Sequence, residues 1–195
     1  PAYDMVVQGM GGIMSVTGHP GTPPTRIGMS IGDIGSGLYA TIGVQAALFH
    51  RQLTGEATKV DIGMLDCQLA LLENAVMRYQ VSGTAPGPLG ARHPSITPFE
   101  AYKTKDGYII ISAGNDGLFA KLAEALENPG WAEDPDYSSN DNRNKHVEKL
   151  KIEMESVLTA HTTSHWIEVL DKFGVPSGPI NDIGQAATHP QTIAR

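Results

Sequence analysis

The stretch GMSIGDIGSGLYATIGVQAALFH, residues 28–50, constrains the fold more than any other part of the sequence. Its spacing predicts a helix from about Gly35 to Leu53 that ends at Gly55. Three large apolar residues mark one face of this helix and four small residues mark the opposite face (Leu38, Ile42 and Phe49; Ala40, Gly43, Ala46 and Ala47). Each glycine inside a helix costs about 1 kcal/mol relative to alanine. We therefore expect another segment of the chain to approach the small face closely.

Asp33 is the one carboxylate in this stretch, and Gly32, Gly35 and Gly37 surround it in the sequence. Aspartate is a favoured N-cap, so the residue could serve only to start the helix. The same position suits catalysis, because the positive end of a helix and its free N–H groups keep a carboxylate ionised and available as a nucleophile. Flanking glycines would admit a substrate carbonyl and could supply N–H donors to an oxyanion. The residue type alone leaves both interpretations open.

Helical and extended patterns alternate in the first part of the chain. Residues 3–18 are close to helical spacing, and short apolar runs at 27–31 and 60–62 predict strands. Residues 64–83 follow the spacing of an amphipathic helix. A stretch rich in glycine and proline, SGTAPGPLGARHPS, then interrupts all periodicity.

This change of composition predicts two domains joined by a linker. Residues 1–84 are expected to form part of a large α/β domain that carries Asp33, residues 85–95 the linker, and residues 96–195 a small α+β domain. The turn signal at 105–107 predicts a hairpin in the small domain. Helices of the small domain are expected to begin at Asn115, at or near Asn142, and at Ser164.

Composition and charge argue against several classes of function. The formal net charge is −7 and no concentrated basic face is visible, which disfavours a nucleic-acid partner and a membrane surface. No apolar run approaches the roughly 20 residues that cross a bilayer, and no secretory leader is visible, so the expected location is cytoplasmic. The single cysteine, Cys67, lies in an apolar helical pattern and is expected to be buried.

No metal site is expected from the histidines. His161 and His165 have the i, i+4 spacing of a helical metal pair. A helix that begins at Ser164 would place them on either side of a loop, so we interpret them as two surface histidines.

The sequence resembles the family III CoA-transferases over nearly its whole length. The resemblance lies in YDMVVQGMGGIMSVTG, GDIGSGLYA, VDIGMLD, GNDGLFAKLAEAL, DPDYSSNDNRNKH and GVPSGPIND. This family contains formyl-CoA transferase, carnitine CoA-transferase and α-methylacyl-CoA racemase. The resemblance implies a Rossmann-like large α/β domain, a small α+β domain and a homodimer of interlocked subunits, with coenzyme A, as acyl-CoA, and a carboxylic acid as substrates.

The resemblance also implies roles for individual residues. Asp33 matches the family's nucleophile, which holds CoA as an aspartyl-CoA thioester while CoA moves between carboxylic acids. Tyr3 matches a tyrosine beside the thioester, and Met64 matches a residue near the same pocket. A CoA-contacting segment maps to Pro1, Ala2 and Asp4, and we assign the oxyanion donors to the N–H groups of Gly35 and Gly37.

Two alternatives remain beside the transferase. Members of the family extend beyond this sequence at both ends, so the chain is expected to be a fragment without the N-terminal half and the C-terminal return to the large domain. Racemase chemistry stays open, because the histidine that racemases use would precede Pro1. Racemases tend to have an aromatic residue where Ile34 stands, which favours the transferase. The other alternative is a non-catalytic fragment that keeps the fold, and the retention of Asp33 disfavours it.

Overall fold

The computed structural model describes residues 2–195, and Pro1 lies outside this range. The chain divides into two compact units, Pro1–Gly90 and Ala91–Arg195, called unit 1 and unit 2 below. The domain limits expected from the sequence, 1–84 and 96–195, stay a prediction. Within residues 2–195, no helix combines the length and the apolar character needed to cross a membrane.

Unit 1 is built from helices. In chain order they are α1 (Asp4–Met10), α2 (Ile13–Val16), α3 (Ile31–Thr54), α4 (Met64–Leu71) and α5 (Glu73–Ser82). Helix α3 is the longest, with 24 residues, and it packs against both α1 and α4. Helices α1 and α4 also pack against each other. The start of α3, where Asp33 lies, is therefore held by two neighbouring helices.

Helix α3 ends where the sequence predicts and begins earlier than predicted. Gly55 ends it in the left-handed conformation, with φ +79°, and its N–H donates to the Arg51 carbonyl at 2.8 Å. The helix begins at Ile31, four residues before the predicted Gly35. Asp33 consequently lies inside the first helical turn.

The small face of α3 packs closely, as expected. A Cβ atom placed on Gly43 would lie 2.7 Å from Cγ1 of Val60, a distance that side chains essentially never reach. The large apolar residues of the opposite face are exposed, with Leu38 at 60% and Phe49 at 62%. Glycine thus serves the packing of this helix, and the bulky face of α3 is uncovered within unit 1.

The two strands predicted in unit 1, at 27–31 and 60–62, are wrong. None of the described residues of unit 1, 2–90, forms a strand. A strand needs a neighbour to take its N–H and C=O groups. The N–H of Ile27 instead donates to the side-chain oxygen Oε1 of Gln8, at 2.9 Å.

Unit 2 contains an antiparallel sheet with strand order β1, β2, β3. The strands are β1 (Phe99–Lys103), β2 (Tyr108–Ser112) and β3 (Ser177–Pro179). Ala101 of β1 pairs with Ile110 of β2, and Ile110 pairs with Gly178 of β3. The hairpin predicted at 105–107 is confirmed, and its N–H at Thr104 donates to the Gly107 carbonyl at 2.9 Å.

The helices of unit 2 are α6 (Asp116–Ala125), a 3₁₀ helix (Pro129–Ala132), α7 (Asn140–Lys145), α8 (Val147–Leu158), α9 (Thr163–Lys172), α10 (Ile183–Ala187) and α11 (Pro190–Ala194). Helix α8 packs against β1, and α9 packs against β2 and β3, whereas α10 and α11 have no buried residue. The core residues come from both layers and include Tyr102, Ile109, Ile111, Phe119, Leu122, Leu150, Met154, Leu158, Trp166 and Leu170.

The predicted start of α6 is confirmed, and the two later helix starts are displaced. Asn115 caps α6, since its Oδ1 accepts a hydrogen bond from the Leu118 N–H at 2.9 Å. The cap of α7 is Ser139 and that of α9 is Thr162. All three side chains accept from the N–H of the third residue of their helix, a role that any of several neighbouring polar residues can fill.

Arg143 of α7 lies fully buried in unit 2. Its guanidinium donates to the carbonyls of Thr97 and Tyr137, each at 2.7 Å, and to the carboxylate of Asp116 at 2.6 Å. It also lies 4.4 Å above the Phe119 ring. One cation thereby ties the segment before β1 to the start of α6 and to the loop before α7.

Candidate active site

Asp33 is the third residue of α3, and its side chain is exposed. Ser30 occupies the N-cap position, so the interpretation of Asp33 as an N-cap is wrong. The carboxylate still lies in the first turn of a 24-residue helix. The positive end of the helix dipole stabilises a negative charge at that point.

The residue that caps the start of α3 is Asp4, 28 positions earlier in the chain. Asp4 is only 9% exposed, and its Oδ1 accepts a hydrogen bond from the N–H of Gly32 at 2.9 Å. Gly32 directly precedes Asp33, and its N–H is one of the four at a helix start that have no acceptor within the helix. A buried carboxylate of α1 therefore fixes the backbone beside the candidate nucleophile.

Gln8 extends this arrangement to the segment that leads into α3. The Gln8 side chain is fully buried and its Nε2 donates to Oδ2 of Asp4 at 2.8 Å and to the Met29 carbonyl at 3.2 Å. Its Oε1 accepts from the N–H of Ile27. Together, Asp4 and Gln8 hold the approaching chain at residues 27, 29 and 32. Their side chains form what we call the Asp4–Gln8 clamp.

The three glycines around Asp33 have different roles. A Cβ atom on Gly32 would lie 3.2 Å from Oδ1 of Asp4, and one on Gly35 would lie 2.7 Å from Cδ1 of Leu71. These two glycines let α3 pack against α1 and α4. A Cβ atom on Gly37 would have nothing within 4 Å. Side chains in a helix lean toward its N-terminus, over the residue four positions earlier, so Gly37 leaves Asp33 uncovered.

The oxyanion donors assigned to Gly35 and Gly37 require a correction. Only the first four N–H groups of a helix lack an intrahelical acceptor, and the N–H of Ile34 already donates to the Ser30 carbonyl at 3.0 Å. The N–H groups of Gly35 and Gly37 lie deeper in the helix and are not free. Among residues 2–195, no group accepts the N–H of Asp33 itself, which makes this N–H the available donor.

Tyr3 lies next to the residue that holds the start of α3, and its role beside the thioester stays a prediction. Tyr3 is the N-cap of α1 and is 84% exposed. It directly precedes Asp4, whose carboxylate holds the residue before Asp33. Ala2 is also exposed, and the prediction for Pro1 falls outside the described residues.

The structure places the two other predicted contact residues, Asp4 and Met64, on α1 and α4. Both oxygens of Asp4 accept hydrogen bonds within the protein, so its side chain positions the start of α3, and its contact with CoA stays a prediction. Met64 is the first residue of α4, whereas Leu71, the last, is the one that meets Gly35. At 1.5 Å per residue, Met64 lies about 10 Å along α4 from that contact. The role of Met64 near the CoA pocket stays a prediction.

Sequence reasoning missed Gln8 and Arg26. Nη2 of Arg26 lies 4.0 Å from Oδ2 of Asp4, and 42% of its side-chain surface is exposed. A cation seven residues before Asp33, in the loop TPPTRIG, was the available signal. Gln8 carried no signal, because a glutamine in an apolar helical pattern has no distinguishing spacing.

The two histidines that have the spacing of a metal pair lie beside the start of α9. His161 and His165 flank the start of α9 at Thr163, and their ring centroids are 4.2 Å apart. Within residues 2–195, no group of three or more His, Cys, Asp or Glu side chains could hold a metal ion. Cys67 is buried, as predicted.

Comparison with known proteins identifies the family to which this chain belongs. The whole chain, residues 1–195, matches the sequence model of CoA-transferase family III. This chain belongs to CoA-transferase family III. Among curated relatives, the family III chain is 40% identical to an acetyl-CoA:oxalate CoA-transferase from Acetobacter aceti, over 100% of its own length and 50% of the relative's.

Further relatives agree in sequence and in fold. A succinate–glutarate CoA-transferase from Agrobacterium fabrum is 38% identical to the family III chain, which covers 48% of it. The crystal structure of a CaiB/BaiF family protein from Brucella suis superimposes with a TM-score of 0.83 at 38% identity, over 100% of this chain and 51% of that protein. The expected fold class, mixed α/β, is thereby confirmed. The family III chain spans about half the length of the curated relatives it matches.

Proposed function

We propose that the complete gene product is a CoA-transferase that moves CoA between two carboxylic acids with Asp33 as its nucleophile. The observation that carries the proposal is an exposed carboxylate in the first turn of α3, uncovered by Gly37 and fixed through Gly32, in a member of this family. An aspartate with only a structural role would be expected to use its oxygens within the protein, as Asp4 does.

The proposed reaction begins when Asp33 attacks the carbonyl carbon of an acyl-CoA. The C–S bond breaks, CoA leaves as a thiolate, and Asp33 and the acyl group share a mixed anhydride. The thiolate then attacks the Asp33 carbonyl carbon, which releases the first carboxylate and leaves an aspartyl-CoA thioester. The acceptor carboxylate repeats the two steps in reverse order, so that new acyl-CoA departs and the Asp33 carboxylate is restored.

The first turn of α3 suits the charges that develop along this path. Each attack forms an oxyanion, and a fixed N–H donor contributes about 3 kcal/mol to such an oxyanion in comparable sites. We assign this role to the N–H of Asp33, the first-turn donor left without an acceptor among residues 2–195. The Asp4–Gln8 clamp keeps the turn in place without using the Asp33 carboxylate.

We further propose that the substrates are dicarboxylic acids. The two relatives named above act on oxalate, succinate or glutarate according to their names, and each of these carries two carboxyl groups. One carboxyl group would enter the thioester chemistry at Asp33. The other would need a binding partner within the site.

We also propose a cytoplasmic homodimer for the complete protein. A single, buried cysteine suits a reducing compartment, and the dimer follows from the family resemblance. Cell fractionation and sedimentation of the complete gene product test the two statements separately.

The nucleophile is tested by trapping the intermediate. The complete gene product is incubated with succinyl-CoA and hydroxylamine, which converts an aspartyl thioester or anhydride into a hydroxamate, and the peptide that contains Asp33 is analysed by mass spectrometry. We expect the hydroxamate at Asp33 in the wild type. Asp33→Asn removes the nucleophile at constant volume and should lower kcat on the order of 10⁴-fold or more.

A matched control separates the carboxylate's chemistry from its charge. Asp61→Asn removes a carboxylate that is 80% exposed and paired only with Lys59, so it should transfer CoA at the wild-type rate. The proposal is wrong if Asp33→Asn also transfers CoA at that rate, or if the hydroxamate forms at another residue.

A further inference from the structure

Arg26 is the cation nearest to the buried carboxylate that organises the site. Its Nη2 lies 4.0 Å from Oδ2 of Asp4, at the limit of an ion pair and beyond hydrogen-bond distance. Asp4 has already accepted hydrogen bonds from Gly32 and Gln8. The guanidinium is thus held near the site by charge while its own donors are not used by Asp4.

The donors of Arg26 are available to a ligand. Its side chain is 42% exposed, and no hydrogen bond among residues 2–195 involves its guanidinium. The backbone beside it is fixed, because the N–H of the next residue, Ile27, donates to Gln8. A guanidinium on a fixed backbone presents two parallel N–H groups, the geometry that matches a carboxylate.

Arg26 also lies on the Asp33 side of unit 1. A single carboxylate group, that of Asp4, separates its guanidinium from the amide nitrogen of Gly32, the residue before Asp33. Arg51, near the end of α3, is 18 residues from Asp33, about 27 Å along the helix axis. Lys59 pairs with Asp61 at 3.0 Å.

We infer that Arg26 binds the second carboxylate of a dicarboxylic acid whose first carboxyl group reacts at Asp33. This role rests on the proposed function, and it would make Arg26 the residue that selects dicarboxylic acids as substrates. The Asp4–Gln8 clamp then has two tasks, since it fixes both the backbone of the nucleophile and that of the cation. A monocarboxylic acid would leave the guanidinium in water and gain nothing from it.

Matched acceptor pairs test the inference. With succinyl-CoA as the donor, kcat/KM is measured for glutarate and for pentanoate, which differ by one carboxyl group. Arg26→Gln in the complete gene product should lower kcat/KM for glutarate about 10- to 100-fold, the value of a charge-assisted hydrogen-bonded pair, and change that for pentanoate less than about 2-fold. Arg26→Lys keeps the positive charge but lacks the two parallel N–H groups, so its kcat/KM for glutarate should lie between those of the wild type and Arg26→Gln.

The control variant is Arg51→Gln, which removes an equal charge at the far end of α3 and should leave both acceptors unchanged. If Arg26→Gln lowers kcat/KM equally for glutarate and pentanoate, Arg26 binds a phosphate of CoA or serves folding, and the inference is wrong. Unchanged values for both acceptors would also overturn it. Trapping of the Asp33 hydroxamate from succinyl-CoA without acceptor is measured in parallel. If the wild type forms no hydroxamate at Asp33, the proposed function is wrong. If the hydroxamate forms but Arg26→Gln affects glutarate and pentanoate equally, only the role of Arg26 is wrong.

Discussion

Replacing Asp4 with alanine tests whether a residue of α1 controls the start of α3. The change removes the acceptor of two hydrogen bonds, from the Gly32 N–H at 2.9 Å and from Gln8 Nε2 at 2.8 Å. Gly32 and Gln8 are both buried, so the change takes the acceptor from two buried donors. Asp4→Ala therefore leaves two unsatisfied donors within unit 1.

The expected cost follows from these two donors. A buried donor that loses its acceptor costs about 1–3 kcal/mol, and water entering the vacated space lowers this value. We expect Asp4→Ala to reduce the free energy of unfolding by about 2–4 kcal/mol, a large share of the 5–15 kcal/mol typical of proteins. Asp4→Asn retains an acceptor for Gly32 but turns an NH₂ toward the Gln8 amide. Asp4→Asn should therefore reduce the free energy of unfolding by about half as much as Asp4→Ala.

Urea unfolding of the complete gene product measures this cost, and hydrogen exchange locates it. In Asp4→Ala, the amide of Gly32 should exchange faster, whereas amides near the end of α3 should not change. Asp61→Ala is the matched control, because its exposed pair with Lys59 contributes less than about 1 kcal/mol. The reasoning is refuted if Asp4→Ala unfolds like this control and the Gly32 amide keeps its protection.

Three further outcomes are expected. Gly37→Leu should cover Asp33 and lower kcat/KM while the protein stays as stable or gains up to about 1 kcal/mol, which activity and urea unfolding measure together. The hydrogen bond from the Thr163 N–H lowers the pKa of Asp106, so its contribution to stability is complete above the ordinary carboxyl pKa and is lost as the pH falls through the lowered value. In Asp106→Asn, unfolding measured between pH 2 and 7 should lose this part of the pH dependence. Arg143→Met should reduce the free energy of unfolding by about 2–6 kcal/mol, seen in thermal melts, because the carbonyls of Thr97 and Tyr137 lose a buried donor at about 1–3 kcal/mol each. The carboxylate of Asp116 is exposed and returns to water.

Features that depend on a few consecutive residues were predictable from the sequence. Gly55 ends α3, Asn115 begins α6 and the turn at 105–107 forms a hairpin, because each depends on local backbone conformations and hydrogen bonds. The strands expected at 27–31 and 60–62 are absent because a strand does not depend on consecutive residues alone. Alternating side chains describe a strand's faces, but a strand exists only when another chain segment takes its backbone groups.

The candidate site shows the same division. The sequence alone identifies Asp33, since a carboxylate among glycines at a helix start is a local pattern and its resemblance to the family lies in adjacent residues. Only the tertiary structure assigns the cap of α3 to Asp4 and buries Gln8 against the segment before α3. It also leaves the Arg26 guanidinium without a hydrogen-bonded partner among residues 2–195. Asp4 and Gly32 are 28 positions apart, and the energy of their contact depends on burial and on a distance of 2.9 Å. Neither quantity exists until helices α1, α3 and α4 pack together, because the unfolded chain satisfies the same groups with water.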